Sequence, residues 1–217
     1  MERDASMQAN SWRATARIDL AAIRQNLVVL TSRYGTKKYV ADIAADAYGH
    51  GTSEVGRLAR KAAVTVSESS NPLGGELYGL TRDPLLHAAM RVSALVIATK
   101  TIDAGEGVSY GYTWHAPTRT NLALVGIGYA DGLDRSASNV GSLLLGGVEH
   151  RIVGRVAMNA LVLDLGQHSA AIGDEAVVFG DPAVGEPAVG DWAGQLERPC
   201  AEIVAVFGSH LPREYRW

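Results

Sequence analysis

Cysteine is nearly absent: a single one, Cys200, stands in 217 residues. No internal disulfide can form from it, and nothing in cysteine usage points to an oxidising compartment. Long hydrophobic runs are lacking as well. No uninterrupted apolar stretch approaches the ~18 residues of a membrane span, so no membrane segment is expected. There is no large excess of charge of either sign; the formal net charge of −3 argues against a broad electrostatic partnership with nucleic acid or an anionic membrane. The six histidines (His50, His87, His115, His150, His168 and His210) are scattered without ligand spacing, and no metal site is expected. The opening Met1-Glu2-Arg3-Asp4-Ala5-Ser6 is polar and lacks the apolar core of a secretory signal. Residues 1–12 are expected to be disordered, and the protein cytoplasmic.

What is present is an ordinary globular composition, 47% apolar and 20% charged, long enough to bury a core. Residues 16–20 read as a short strand, followed by Asp19 as N-cap of a helix with the apolar period Leu20, Ile23, Leu27, Leu30. That helix is expected to stop near Tyr34-Gly35. A second strand follows at about Tyr39–Ala44, then a turn through Tyr48-Gly49-His50-Gly51, with Thr52 or Ser53 capping a helix to about Ala63. The first 65 or so residues therefore read as β-α-β-α, the repeating unit of a parallel α/β sheet. Ser67-Glu68-Ser69-Ser70-Asn71-Pro72 reads as a loop.

From about Arg91 the pattern changes to short β-branched runs between glycine turns. These are Val92–Ile97, Leu122–Ile127, Ser142–Leu145, Arg151–Val156, Leu161–Leu165 and Glu175–Phe179, the pattern of an antiparallel domain. One helix is expected at Gly190–Leu196, led by Asp191. The boundary is placed at about 84–90, giving segments 13–83 and 84–217. One α/β unit and a half cannot close a barrel, which takes eight parallel strands. It leaves strand edges and an apolar face that something must cover.

Several motifs are specific and occur in a fixed order: Ala104-Gly-Glu-Gly-Val-Ser-Tyr-Gly111, Gly128-Tyr-Ala-Asp-Gly-Leu133 with Arg135, Val153-Gly-Arg-Val-Ala-Met158, Val162–Gly166 and Gly173-Asp-Glu175. Together they resemble the C-terminal domain of the alanine racemases over about residues 85–217. Arg17–Leu27 and Ala45-Asp-Ala-Tyr-Gly-His-Gly51 look like the start of that family's barrel, and Gly74–Leu80 resembles its last barrel strand. The resemblance implies an α+β chain: a β-rich C-terminal domain preceded by the remnant of an α/β (TIM-type) barrel, with most of that barrel missing.

It also implies a chemistry. Members of the family, fold-type III enzymes, interconvert L- and D-alanine with pyridoxal 5′-phosphate, which forms a Schiff base with a lysine and serves as electron sink. The second base is a tyrosine from the partner subunit, so the resemblance implies a homodimer acting on alanine. The family's lysine stands just before the Ala-Asp-Ala-Tyr-Gly-His-Gly motif, and that position is Ala44 here. Lys37 and Lys38 lie seven and six residues upstream, up to ~20 Å along an extended strand. The catalytic tyrosine corresponds to Tyr110, and the phosphate contacts to Tyr48 and Gly74. Met158 matches a residue whose backbone meets the substrate carboxylate, with Asn159 replacing an aspartate; Tyr129, Arg135 and Arg155 match the substrate entryway. The second phosphate tyrosine falls on Ala201, and the arginine against the pyridine nitrogen falls on Pro72.

Each of these residues also has a plainer role. Tyr110 in a glycine-flanked turn is a packed aromatic, Gly128–Gly132 a tight turn with a buried tyrosine and Asp131 stabilising the turn, and His50 a turn histidine. Arg135 and Arg155 are surface charges. At this level three functions stand: a catalytically impaired or inactive racemase relative that has lost most cofactor contacts, a working pyridoxal enzyme using another lysine, and a non-catalytic module pairing with itself or with an intact racemase subunit.

Overall fold

The computed structural model describes residues 14–68 and 74–217. The expectation for residues 1–12 and the position of Pro72 lie outside the described residues. Two compact units are present, one comprising Ala14 and Thr15 together with Val92–Phe179, the other the described residues of Ala16–Arg91 together with Gly180–Trp217. Residues 180–217, contiguous in sequence with the β-rich segment, thus cluster with the N-terminal unit.

The first unit is a closed antiparallel barrel. Its strands are β4 (Met90–Ile102), β7 (Thr120–Val125), β8 (Ser142–Leu145), β9 (Val148–Ile152), β10 (Leu161–Gly166) and β11 (Glu175–Phe179). They pair in the order β11-β8-β9-β10-β7-β4, and β11 pairs back onto β4 with Glu175 opposite Leu95 and Phe179 opposite Val92. Closure removes the free edges that an open sheet would present. The alternation along β10 buries Leu161, Leu163 and Leu165, which join Val92, Val96, Ala123, Val125 and Leu143 inside. A separate apolar cluster of Ile102, Val108, Ala116, Leu122 and Val153, with Trp114 packed on it, anchors the short hairpin β5 (Gly107–Val108) and β6 (Trp114–His115). The expected strand at Arg151–Val156 is displaced, running Val148–Ile152, because residues after Ile152 turn away through Gly154 at φ +75°.

The second unit opens as its sequence predicts. Strand β1 (Thr15–Asp19) runs into α1 (Leu20–Tyr34), and the Asp19 carboxylate caps the helix by accepting from the Ala22 amide at 2.8 Å. Leu20, Ile23, Leu27 and Leu30 are all buried. Asn26, on the same face and fully buried, donates to the carbonyls of Leu77 and His87 and accepts from the His87 amide. This pins α1 to the segment after residue 74. Strand β2 (Val40–Asp42) pairs in parallel with β3 (Thr65–Ser67), joined by α2 (Thr52–Lys61).

Two local readings are corrected. Neither Thr52 nor Ser53 caps α2; Gly51 holds the N-cap position without a side-chain bond, and the Thr52 amide is instead met by Asp46 Oδ1 at 2.8 Å. Gly74–Tyr78 is a 3₁₀ helix rather than a strand. Its backbone closes on itself, Gly79 N–H to Glu76 and Leu80 N–H to Gly75, and its Leu77 carbonyl accepts from the Asn26 side chain rather than from a ladder partner.

The C-terminal elements complete this unit. After α3 (Val189–Leu196), helix α4 (Cys200–His210) and strand β12 (Arg213–Arg216) follow. The β-branched run Ile203-Val204-Ala205-Val206 conceals that helix from sequence reading. β12 lies parallel to β1, Ala16 opposite Arg213 and Asp19 opposite Arg216, so the edge of β1 is covered by the far end of the chain. Gly49 and Gly208 let the backbones touch: a Cβ on Gly49 would lie 2.7 Å from the Val204 carbonyl oxygen.

Candidate functional site

In the N-terminal unit, the Ala44–Gly51 motif forms a left-handed turn. Ala45, Asp46, Ala47 and Tyr48 all have φ near +50° to +55°, a conformation costing L-residues roughly 1–2 kcal/mol each. The turn is over-determined by its bonds. The Ala44 amide donates to Asp42 Oδ1 at 2.9 Å, and the Asp46 side chain meets the Thr52 amide and the Arg213 guanidinium. The His50 Nδ1 donates toward the carbonyls of Ala47 (2.9 Å) and Tyr48 (3.0 Å). Burial raises the Asp46 carboxyl, but the Thr52 amide and Arg213 outweigh it and hold the group below the usual carboxylate range.

His50 is wholly buried and stacks on Tyr78 with ring centroids 4.4 Å apart; its Nε2 has no hydrogen-bond partner. Burial brings it down to about 4, against the raising effect of the two carbonyls.

The structure brings Tyr48 and Gly74 together, and with them a residue that the sequence reading did not single out. The Tyr48 hydroxyl donates to Asp42 Oδ2 at 2.9 Å. A Cβ placed on Gly74 would overlap Tyr48 Oη and Asp42 Oδ2 and lie 2.9 Å from Asp42 Cβ. Asp42 is completely buried, and the Tyr78 hydroxyl donates to its carbonyl at 2.6 Å. Burial, then the Asp42 carboxylate, push the Tyr48 hydroxyl up to about 12. Ala44 is half-buried beside this group, and Ala201 is half-buried in the first turn of α4. The sequence signal for Asp42 was faint: an acidic residue inside a three-residue strand, where aspartate is depleted.

The barrel unit carries the other five residues, and they converge. Tyr110 sits in the β5–β6 loop, between Ser109 at φ +61° and Gly111 at φ +78°, with 46% of its surface exposed. Its hydroxyl accepts from Arg135 Nη2 at 2.9 Å and donates to the Val156 carbonyl at 3.3 Å. The Arg155 guanidinium lies 5.5 Å from the Tyr110 ring centroid, and that of Arg135 lies 5.6 Å from the Tyr129 ring. Met158 is exposed, and its carbonyl accepts from the Ala130 amide at 2.9 Å. Asp131 does stabilise the turn, accepting from the Gly128 amide at 2.9 Å, but Tyr129 is exposed rather than buried, its ring facing the Arg135 guanidinium. A hydroxyl held by one guanidinium, with a second over its ring, is a fixed phenol in a cationic, solvent-open setting.

Among the described residues no group of three or more histidine, cysteine or acidic side chains is placed to hold a metal ion, and no helix is long and apolar enough to cross a membrane.

Comparison with known proteins places this architecture. The sequence model of the family described as "Alanine racemase, C-terminal domain" matches residues 89–215. The alanine racemase of Salinispora arenicola is 46% identical over 146 residues, covering 67% of this chain and 38% of that protein. Among solved structures, the alanine racemase of D-cycloserine-producing Streptomyces lavendulae superposes with a TM-score of 0.85 at 23% identity, covering 94% of this chain and 97% of the other. That of Bartonella henselae, solved with covalently bound pyridoxal phosphate, gives 0.83 at 16% identity, covering 94% and 99%. The chain belongs to the alanine racemase C-terminal domain family, and its α+β fold is that of the racemases. It spans less than half the length of the curated relatives it matches first.

Proposed function

We propose that this chain is a racemase relative that does not carry out pyridoxal-dependent interconversion of L- and D-alanine by itself. The observation that carries this reading is the alanine at position 44. A methyl group supplies neither the imine nor the proton transfer that the lysine of a racemase supplies, and covalent catalysis and one of two bases are lost together. The residues present do not fit the cofactor: the Tyr48 hydroxyl and the bare face of Gly74 are engaged by the Asp42 carboxylate. No catalytic step is therefore assigned to this unit.

A second reading is favoured by the state of Tyr110. Its exposed, arginine-held phenol suits a non-catalytic module that pairs with itself as a homodimer, or with an intact racemase subunit to which it lends Tyr110. Under this reading Tyr129, Arg135, Arg155 and Met158 line the access of a small amino acid to the partner's site. The setting is the cytoplasm, where D-alanine serves as a peptidoglycan precursor.

One experiment separates the readings. The purified protein is titrated with pyridoxal 5′-phosphate, reduced with borohydride and analysed by mass spectrometry. It is then mixed with an intact homologue whose catalytic tyrosine has been changed to phenylalanine. No adduct and no racemisation in the mixture supports the first reading alone. Racemisation regained in the mixture, and lost again with Tyr110→Phe, supports the second. A stoichiometric adduct on one lysine of this chain overturns the first.

A further inference from the structure

We infer that Asp42 excludes anionic ligands from the Tyr48–Gly74 cradle, and so adds to the alanine at position 44 a second, independent obstacle to binding the cofactor of its relatives. The inference rests on the reading above that Tyr48 and Gly74 stand where relatives meet a phosphate. It adds a residue and the class of ligand refused, the phosphate monoester dianions.

The geometry carries it. A glycine leaves room above its Cα for a ligand to approach the backbone, but over Gly74 that room holds Tyr48 Oη and Asp42 Oδ2. A phenol has one proton to donate, and Tyr48 gives it to Asp42 Oδ2 at 2.9 Å. The Ala44 amide gives its proton to Asp42 Oδ1, also at 2.9 Å. Two donors of the motif thus face an internal carboxylate in the position an external anion would need.

Asp42 cannot easily swing clear. It is the last residue of β2, in register with Ser67 of β3, its side chain is fully buried, and the Tyr78 hydroxyl fastens its carbonyl at 2.6 Å. A doubly charged phosphate brought against this carboxylate meets like-charge repulsion in a poorly solvated place. A lysine installed at position 44 would gain an amine able to condense with an aldehyde, with loss of water, but no phosphate recognition.

The test compares pyridoxal 5′-phosphate with pyridoxal, which lacks the phosphate, on the full chain. Imine absorbance and the borohydride-reduced adduct are measured for the unaltered protein, Ala44→Lys, Ala44→Lys/Asp42→Asn and Ala44→Lys/Asp42→Ala. For Ala44→Lys the two aldehydes are expected to bind within about threefold of each other. Removing the carboxylate in either double variant is expected to favour the phosphorylated aldehyde by about tenfold or more. A tenfold phosphate preference in Ala44→Lys alone, or none in a folded double variant, overturns the inference.

Asp42→Asn keeps an acceptor for the Ala44 amide, and thermal melts report whether each variant folds. Should both double variants unfold, the Gly49 and Gly74 amide shifts of the unaltered protein decide: a saturable change on adding inorganic phosphate overturns the inference, and none supports it. An adduct on the unaltered protein would sink the proposed function while leaving the comparison between the two aldehydes intact.

Discussion

His50 gives a quantitative handle on how tightly the N-terminal unit is packed. The ring is completely buried, stacked at 4.4 Å on Tyr78, with Nδ1 held by two carbonyls and no partner at Nε2. Protonating it would place a charge where burial opposes it, and the ring is held down to about 4 from an ordinary 6.5. In the unfolded chain it takes up a proton near 6.5, while the folded protein resists until about 4. The stabilisation is therefore complete above about 6.5 and is lost progressively as the pH falls toward 4, at roughly 1.4 kcal/mol per pH unit and roughly 3 kcal/mol in all. Urea unfolding followed by tryptophan fluorescence across that range measures it. His50→Gln keeps a donor for the carbonyls but cannot titrate, so its stability should fall with acid by about 3 kcal/mol less than that of the unaltered protein. Taking the difference between the two proteins removes the contribution of His150, whose burial also lowers it. Parallel pH profiles for the two proteins would refute the reasoning.

Other outcomes follow from particular contacts. Asn26→Ala removes three hydrogen bonds to Leu77 and His87 and leaves their groups buried; urea unfolding should show a loss of about 3 kcal/mol, and a loss below about 1 would mean the site is hydrated. Gly208→Ala drives a methyl group into Gly49, whose Cα would lie 2.5 Å away, and should cost about 2 kcal/mol or more, with faster amide exchange at Gly49. Arg91→Ala takes from Glu186 its cationic partner at 2.7 Å, with both side chains mostly buried, and leaves it only the Asp181 amide, at a cost of about 3 kcal/mol; adding Glu186→Ala should restore part of that, as a double-mutant cycle would read.

What is local was legible in the chain. Asp19 caps α1 because the aspartate and the amide it serves are three residues apart, and the period of Leu20, Ile23, Leu27 and Leu30 states which face is buried. The absence of an amine at position 44 needs no structure at all. The glycine-flanked turn at Tyr110 was legible from its neighbours, but its meeting with Arg135 and Arg155 was not, since the three stand in separate segments that folding brings together. The tertiary structure alone decided which surfaces meet. Periodicity says that a face must be covered but not by what. So it could not tell that β12 covers the edge of β1 from the far end of the chain, that β11 closes the barrel onto β4, or that Ile203-Val204-Ala205-Val206 is helical against Gly49. The same holds for the site. Asp42 and Gly74 are distant in sequence, and only folding places a carboxylate over the bare glycine, because two backbones must approach before a side chain on one can fill the space left by the other.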